Sequence, residues 1–284
     1  MRVLITGAGG QLGRELEAAF AQPGQGRPWD VVACDRAALD VSDRDQVMQA
    51  VGGARPDAVV HAAAWTDVDG CEGDPDRALA VNALGTRHVA EATRGAGADL
   101  CYISTDYVFD GTAGRPYHEW DATNPLSVYG RSKLGGEHEA GPAATIVRTS
   151  WLCGRHGRNF VKTVLTRASA RQPLRVVDDQ WGCPTFATDL AVAVRRLVVG
   201  RLPGTFHVTN QGATTWYRFA CDIVAAAGLD AGLVSPITTA ELDPPRPAPR
   251  PASSVLDNAA LRLAGLPLLA DHHETLAHLV KELT

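Results

Sequence analysis

The sequence predicts an α/β protein, a doubly wound parallel sheet with a smaller C-terminal lobe, and three observations carry that expectation. Short, unbroken apolar runs alternate with longer helical stretches through the first half. A glycine-rich turn separates the first of these runs from the first helix. After Arg148 the alternation gives way to segments interrupted by glycine and proline. Continuous β-branched runs between helices read as strands buried on both faces, because the crossover helices of a parallel sheet cover both sides.

Val3-Leu4-Ile5 leads into a helix from about Gln11, and Val31-Val32-Ala33 into one from about Ser42. Ala58-Val59-Val60 is followed by a helix from about Pro75 to Arg94. Leu100-Cys101-Tyr102-Ile103 and Thr145-Ile146-Val147 complete the strands of a first domain over residues 1–150, with a return segment near 180–200. Residues 151–284 form mainly the second lobe. Within it, the proline-rich stretch from Asp243 to Pro251 excludes a helix, because proline removes donors and fixes φ. It reads either as a disordered linker or as an ordered loop packed near a site.

The 284-residue chain is long enough to bury a full core without metal or disulfide staples. No run approaches the ~20 apolar residues of a membrane span, and the start reads as a strand and not as a signal peptide, so a cytoplasmic protein is expected. The six cysteines lie thirty or more residues apart without a C-x-x-C pair, as buried hydrophobes would. A net charge of -5 with no basic stripe gives no reason to expect nucleic acid.

Directly after the first run comes Thr6-Gly7-Ala8-Gly9-Gly10-Gln11-Leu12-Gly13, a G-x-x-G-x-x-G pattern entering a helix. Glycines there allow a tight turn whose backbone N–H groups approach a pyrophosphate at the helix N-terminus, so Gly7, Gly10, Gln11, Leu12 and Gly13 are expected to bind a dinucleotide. Asp35, 22 residues past Gly13, suits a free ribose 2′-OH and hence NAD; the adjacent Arg36 suits a 2′-phosphate and hence NADP. Asp40, with Val41, stands where an adenine amino group would be met, and a helix cap explains Asp40 nearly as well.

Tyr129-Gly130-Arg131-Ser132-Lys133 places a phenol and an ammonium four residues apart on one helical face, with Asn124-Pro125 as the helix-entry signal. An ammonium beside the phenol favours phenolate and lowers a pKa that is about 10 unperturbed. Only Lys133, Lys162 and Lys281 are lysines in a chain with 27 basic residues, so a lysine at this spacing is not a product of composition. At the end of the fourth strand, either Thr105 or Ser104 supplies a hydroxyl to the same crevice.

These segments together closely resemble the dTDP-4-dehydrorhamnose reductases of the extended short-chain dehydrogenase/reductase (Rossmann) family. The likeness runs through Thr6 to Arg14, His61 to Asp69 with Glu72, Val81 to Gly85, Ser104 to Gly111, Tyr129 to Lys133, Arg148 to Trp151, Asp179 to Thr185, and Ser253 to Leu256. It implies Thr105, Tyr129 and Lys133 as the catalytic triad, and Thr105, Asp106 and Trp151 on the sugar nucleotide. It also implies cofactor contacts from Ala62, Ala63 and Ala64, besides Tyr129 and Lys133. NADPH is expected to be preferred with NADH also used, and a homodimer is the assembly implied. Some relatives hold magnesium at a dimer interface through glutamates; Glu15 matches one such position, Asp189 stands near another, and the rest is not recognisable, so no metal ligand is assigned.

The alternatives are reduction of another dTDP-4-keto sugar, sugar-nucleotide epimerisation, and a non-catalytic regulatory homologue. A dehydratase would carry a glutamate where this chain has Tyr107. His273 and His278 are five apart and fall on different helical faces, and the other histidines have no partner at ligand spacing. His61 reads as a packed residue near the cofactor.

Overall fold

The structure is a computed structural model that describes residues 1–22 and 29–284. Strands β1 (Arg2–Thr6), β2 (Asp30–Cys34), β3 (Ala58–His61), β4 (Asp99–Thr105) and β5 (Thr145–Thr149) form a parallel sheet in the order β5-β4-β3-β1-β2. Side chains alternate across it: Val3 and Ile5 pack into one apolar cluster and Leu4 into another, which is why these strands are apolar without interruption. Helices α1 (Gln11–Ala21), α2 (Arg44–Ala54), α3 (Val68–Gly73), α4 (Pro75–Leu79), α5 (Gly85–Gly95) and α6 (Val128–Ala140) supply the crossovers.

Register aligns the strand ends. Thr6 pairs with Cys34 and His61, and Thr105 with Thr149, so these residues make one rim. The chain reverses its direction of travel across the sheet between β1 and β3, and the crevice at such a point is where ligands bind in open α/β sheets.

Three boundaries differ from the sequence expectation. The second helix starts at Arg44 because Asp43 caps it, accepting from the N–H groups of Asp45 and Gln46. The helical run from Pro75 carries a π turn, Ala80–Leu84, between α4 and α5; the widened turn carries Asn82, whose backbone C=O accepts from Thr86 Oγ1 at 2.7 Å. Finally, α6 is entered at Ser127, whose Oγ accepts from Gly130 N at 3.0 Å, while Asn124 donates to Asp110 and takes no part in the cap.

Beyond β5 the chain passes through β6 (Leu152–Cys153), α7 (Phe160–Ser169), β7 (Leu174–Val177), β8 (Trp181–Gly182) and β9 (Thr185–Phe186). It returns to the first sheet through α8 (Ala187–Val199), which packs on α1, and β10 (Gly204–His207), which extends the sheet beside β5. It then forms β11 (Thr214–Thr215), α9 (Trp216–Ala226), β12 (Val234–Ile237), α10 (Ala259–Leu263) and α11 (His272–Leu283). The second lobe has its own core, built from residues such as Val161, Leu165, Phe219, Ile223, Leu276 and Leu279. No helix among the described residues is long and apolar enough to cross a membrane.

The Asp243–Pro251 stretch is an ordered loop, which decides between the two readings of its prolines. Arg250 grips Asp69 of α3 through both carboxylate oxygens, at 2.6 and 2.7 Å, and Ala248 N donates to the same carboxylate.

Candidate active site

A cleft of about 1000 Å³ opens over the rim of the sheet. Its first wall is backbone. Gly7 has φ +71°, and a Cβ there would lie 2.7 Å from the Ala63 backbone, so only glycine lets the turn lie against the Ala62-Ala63-Ala64 segment. A Cβ on Gly13 would stand 2.3 Å from Gly7 O, which fixes glycine where α1 crosses the turn. Gly10 caps α1 without a side-chain bond, leaving the first N–H groups of the helix to an anion. Ala62 N and Ala63 N are held by Thr6, each at 3.3 Å.

The structure divides the residues expected on this wall. Gln11 uses its carboxamide to bridge the lobes, donating to Leu152 O at 3.0 Å and accepting from Asn159 Nδ2 at 2.7 Å. The Leu12 side chain is buried in the core, so backbone N–H groups are what these two residues offer. Asp35 Oδ1 accepts from Ala37 N and Ala38 N at 3.0 and 2.9 Å, and the exposed Arg36 follows it on the cleft edge. Asp40 lines the cleft with one oxygen committed to Ser42, whose hydroxyl and N–H hold its carboxyl below the usual range. Val41 is buried, and its C=O takes a hydrogen bond from His88.

The second wall is side chain. Thr105, the last residue of β4, donates to Asp106 Oδ1 at 3.0 Å and accepts from Tyr107 N at 3.2 Å. Ser104 is turned elsewhere: its hydroxyl donates to Glu137 at 2.5 Å, and Arg148 clamps the same carboxylate at 2.7 and 2.9 Å. Both residues line the cleft, but the Ser104 hydroxyl is tied into the Glu137–Arg148 ion pair, whereas the Thr105 hydroxyl is engaged only with its neighbours Asp106 and Tyr107. Asp106 is 2% exposed and one of its oxygens is buried without a partner. Burial pushes its carboxyl up to about 7 against hydrogen bonds from Ser254 and Thr105.

Tyr129 and Lys133 both reach the cleft from α6. Two glycines let this helix approach β4 and the turn after it closely: a Cβ on Gly130 would lie 2.2 Å from Tyr107 O in that turn, and one on Gly136 2.1 Å from the Tyr102 hydroxyl of β4. The expectation of a lowered phenol pKa is corrected here. Burial raises Tyr129 well above the ordinary tyrosine value, the Thr105 hydroxyl offsets part of that, and Asp106 adds to it. The Lys133 ammonium instead donates to Ile103 O at 2.7 Å and lies 4.1 Å from the centre of the Tyr102 ring. Burial lowers its pKa to about 7, opposed by Glu137.

The third side is aromatic. Trp151, at φ +46°, stacks on Trp216 with ring centres 3.6 Å apart, and a Cβ on Gly182 would meet the Trp151 ring at 2.4 Å. Both tryptophans line the cleft.

Along residues 1–284 the sequence matches the family described as the RmlD substrate binding domain. The chain belongs to this family. It is similar to a dTDP-4-dehydrorhamnose reductase of Streptomyces griseus, 44% identical over 274 residues that cover 93% of this chain and 88% of that one. A dTDP-4-keto-6-deoxy-D-glucose reductase of Streptomyces niveus is 42% identical over 269 residues, covering 93% and 91%. The crystal structure of dTDP-4-dehydrorhamnose reductase from Bacillus anthracis in complex with NADP superposes with a TM-score of 0.92 at 38% identity, covering 99% of each chain.

Several parts of this RmlD-family site escape a reading of the sequence. Trp216 lies 65 positions from its stacking partner and has no motif around it. Asn82 holds Trp65 through both N–H and C=O, at 2.8 and 3.0 Å, and donates to Ser132 between Tyr129 and Lys133, tying the loop after β3 to α6. His61 is buried between Thr6 and Thr86, and burial with the Lys133 charge lowers its pKa to about 3. Glu15 and Asp189 have separate partners: Arg155 grips the first at 2.8 and 3.1 Å, and Asn210 and Thr275 bond the second at 2.6 and 2.7 Å. The histidines also depart from expectation, because His272 and His273 meet Asp222 across two helices.

Proposed function

We propose that the chain is an NADPH-dependent reductase of the 4-keto group of a dTDP-4-dehydro-6-deoxysugar, with dTDP-4-dehydrorhamnose reduced to dTDP-L-rhamnose. One observation carries the reading: a glycine cradle for a pyrophosphate and a set of buried Thr105, half-buried Tyr129 and buried Lys133 open into the same cleft. The cradle fits the cofactor, since a Cβ at Gly7 or Gly13 would fill it and the capless end of α1 leaves its N–H groups for the anion. Arg36 at the cleft edge suits a 2′-phosphate, while Asp35 Oδ1 is already used by its own turn.

Bound NADPH supplies the hydride that reduces a carbonyl carbon. The chain's own residues supply the proton and the placement. Because burial keeps the Tyr129 phenol protonated at neutral pH, it is in the form that a reduction requires, and it donates to the carbonyl oxygen. Thr105 donates to that same oxygen as negative charge develops there. Lys133 would hold the cofactor ribose, and its proton affinity near neutrality lets it pass a proton toward the phenol. Asp106, whose carboxyl burial pushes up to about 7, and the Trp151–Trp216 stack orient the sugar nucleotide. Elimination would need a base after Asp106, and the residue there is Tyr107, packed edge-on against Tyr129 at 6.0 Å.

The cytoplasm suits a chain whose six cysteines are all free thiols. The test of function is nicotinamide absorbance during incubation with NADPH and dTDP-4-dehydrorhamnose, with dTDP-4-keto-6-deoxy-D-glucose in parallel. Stoichiometric oxidation with formation of the 4-hydroxy sugar is expected, and the faster substrate identifies the sugar. Interconversion of sugars without net NADPH consumption would replace this reading with an epimerase.

A further inference from the structure

Far along the sequence from the triad, two helices of the second lobe bring three potential ligands together. Asp222 lies on α9, and His272 and His273 open α11. One ligand atom from each falls within 4.8 Å of the others. His273 Nε2 is 3.4 Å from Asp222 Oδ2, and His272 Nε2 is 3.9 Å from the same oxygen.

The hydrogen bonds on the far side of each ring fix which nitrogen carries the proton. His272 Nδ1 stands 3.1 Å from Gln211 O, and a carbonyl can only accept, so Nδ1 is the N–H donor. His273 Nδ1 stands 2.7 Å from Asp271 Oδ1 and donates in the same way. In its neutral form each ring turns the lone pair of Nε2 toward the Asp222 carboxylate. His272 is 1% exposed, and its Nε2 is buried with no hydrogen-bond partner. Gly212, at φ +93°, leaves room for the ring, since a Cβ there would lie 2.7 Å from His272 Nδ1. Two lone pairs and a carboxylate converging on one point repel one another unless a metal ion, or a proton on each Nε2, lies between them. Histidine ligands that donate their other N–H to a carbonyl or carboxylate are the usual outer arrangement of a metal site.

We propose that Asp222, His272 and His273 form a binding site for a divalent transition ion, Zn²⁺, with its fourth position open to water. Zinc–nitrogen bonds of about 2.0–2.1 Å in a tetrahedron set ligand atoms about 3.3–3.4 Å apart, so the 3.4 Å pair already fits, while the rest of the set, which lies within 4.8 Å, has to draw in around the ion. Two imidazoles and a carboxylate suit zinc over magnesium or calcium. The ion clips α11 to α9, the helix that starts with Trp216, and so braces the aromatic side of the cleft from behind.

The test uses the full chain without a histidine tag. Zn²⁺ affinity is measured by competition with a chromophoric chelator, and Co²⁺ is added to read coordination from its visible spectrum. One equivalent should bind, with tetrahedral Co²⁺ bands and a raised Tm. Asp222→Asn at a half-buried position and His273→Gln at an exposed one should each weaken binding by more than about 100-fold, beyond the 10–100-fold typical of losing an outer partner. Each should keep the parent Tm without metal. No saturable uptake, or uptake that survives both substitutions, would overturn the site and leave a pair of protonated imidazoles as the cation beside Asp222.

Discussion

The turn between β1 and α1 works by leaving side chains out, whereas the wall made by the end of β4 and α6 works by burying them. At Gly7 and Gly13 the neighbouring backbone lies within 2.7 Å of where a Cβ would stand, so the chemistry of that wall belongs to peptide N–H groups. Across the cleft, Asp106, Tyr129 and Lys133 are ionisable groups whose proton affinities are all displaced by burial. A backbone wall binds by shape and dipole and is indifferent to pH. A buried wall sets protonation states, and a change of one atom there alters chemistry without altering shape.

Tyr129→Phe breaks the buried wall most directly. It should lower kcat by about 10²–10⁴-fold, the range for loss of a positioned general acid, with the KM for NADPH little changed. A kcat near that of the parent would remove Tyr129 as the proton donor. Thr105→Val, measured in the same assay, should cost about 10²–10³-fold in kcat, as for loss of one donor to a developing oxyanion. If kcat is unchanged, the hydroxyl is not aimed at the reacting oxygen.

The backbone wall is tested by size alone. Gly13→Ala places a methyl 2.3 Å from Gly7 O and should weaken NADPH binding and lower Tm, with a stability loss of about 1–3 kcal/mol for forced overpacking. Gly10→Ala, whose nearest approach is 3.1 Å, should do much less in a side-by-side melt and titration. Equal effects would mean that the turn is not set by contact distance.

A smaller effect sharpens the contrast through pH. An unfolded lysine keeps its proton to 10.5, while Lys133 in the folded chain loses it at about 7. Between these values the unfolded chain binds more protons, so stability should rise with pH from about 7 to 10.5, by on the order of a few kcal/mol. Urea unfolding at both ends of this window should show the rise in the parent and its loss in Lys133→Met. Arg36→Ala carries the smallest expectation, a KM for NADPH raised by about tenfold, one charge-assisted phosphate contact, with NADH unaffected.

The legible parts of the molecule were those encoded locally. The strands of the first sheet read directly because each is apolar on both faces, and the cleft residues Thr105, Tyr129 and Lys133 read from position relative to a strand end or a helical turn. Ser104 against Thr105 was not separable, because adjacent strand residues point to opposite faces and only the Glu137–Arg148 pair shows which hydroxyl is already engaged. The Asp243–Pro251 loop was equally open until its Arg250 clamp on Asp69 was seen.

The sequence by itself determined five strands of the sheet, β1 to β5, and the glycine turn, and it pointed to Tyr129 and Lys133 on one helical face, since these depend on residue type at short spacing; the sixth strand, β10, carries no such signal. The tertiary structure alone decided the partnership of Trp151 with Trp216, the meeting of Asp222 with His272 and His273, and the protonation states in the cleft. Stacking and ligand convergence join residues far apart in the chain, and a pKa is set by burial and by neighbours from several elements. None of these is a property of any one segment.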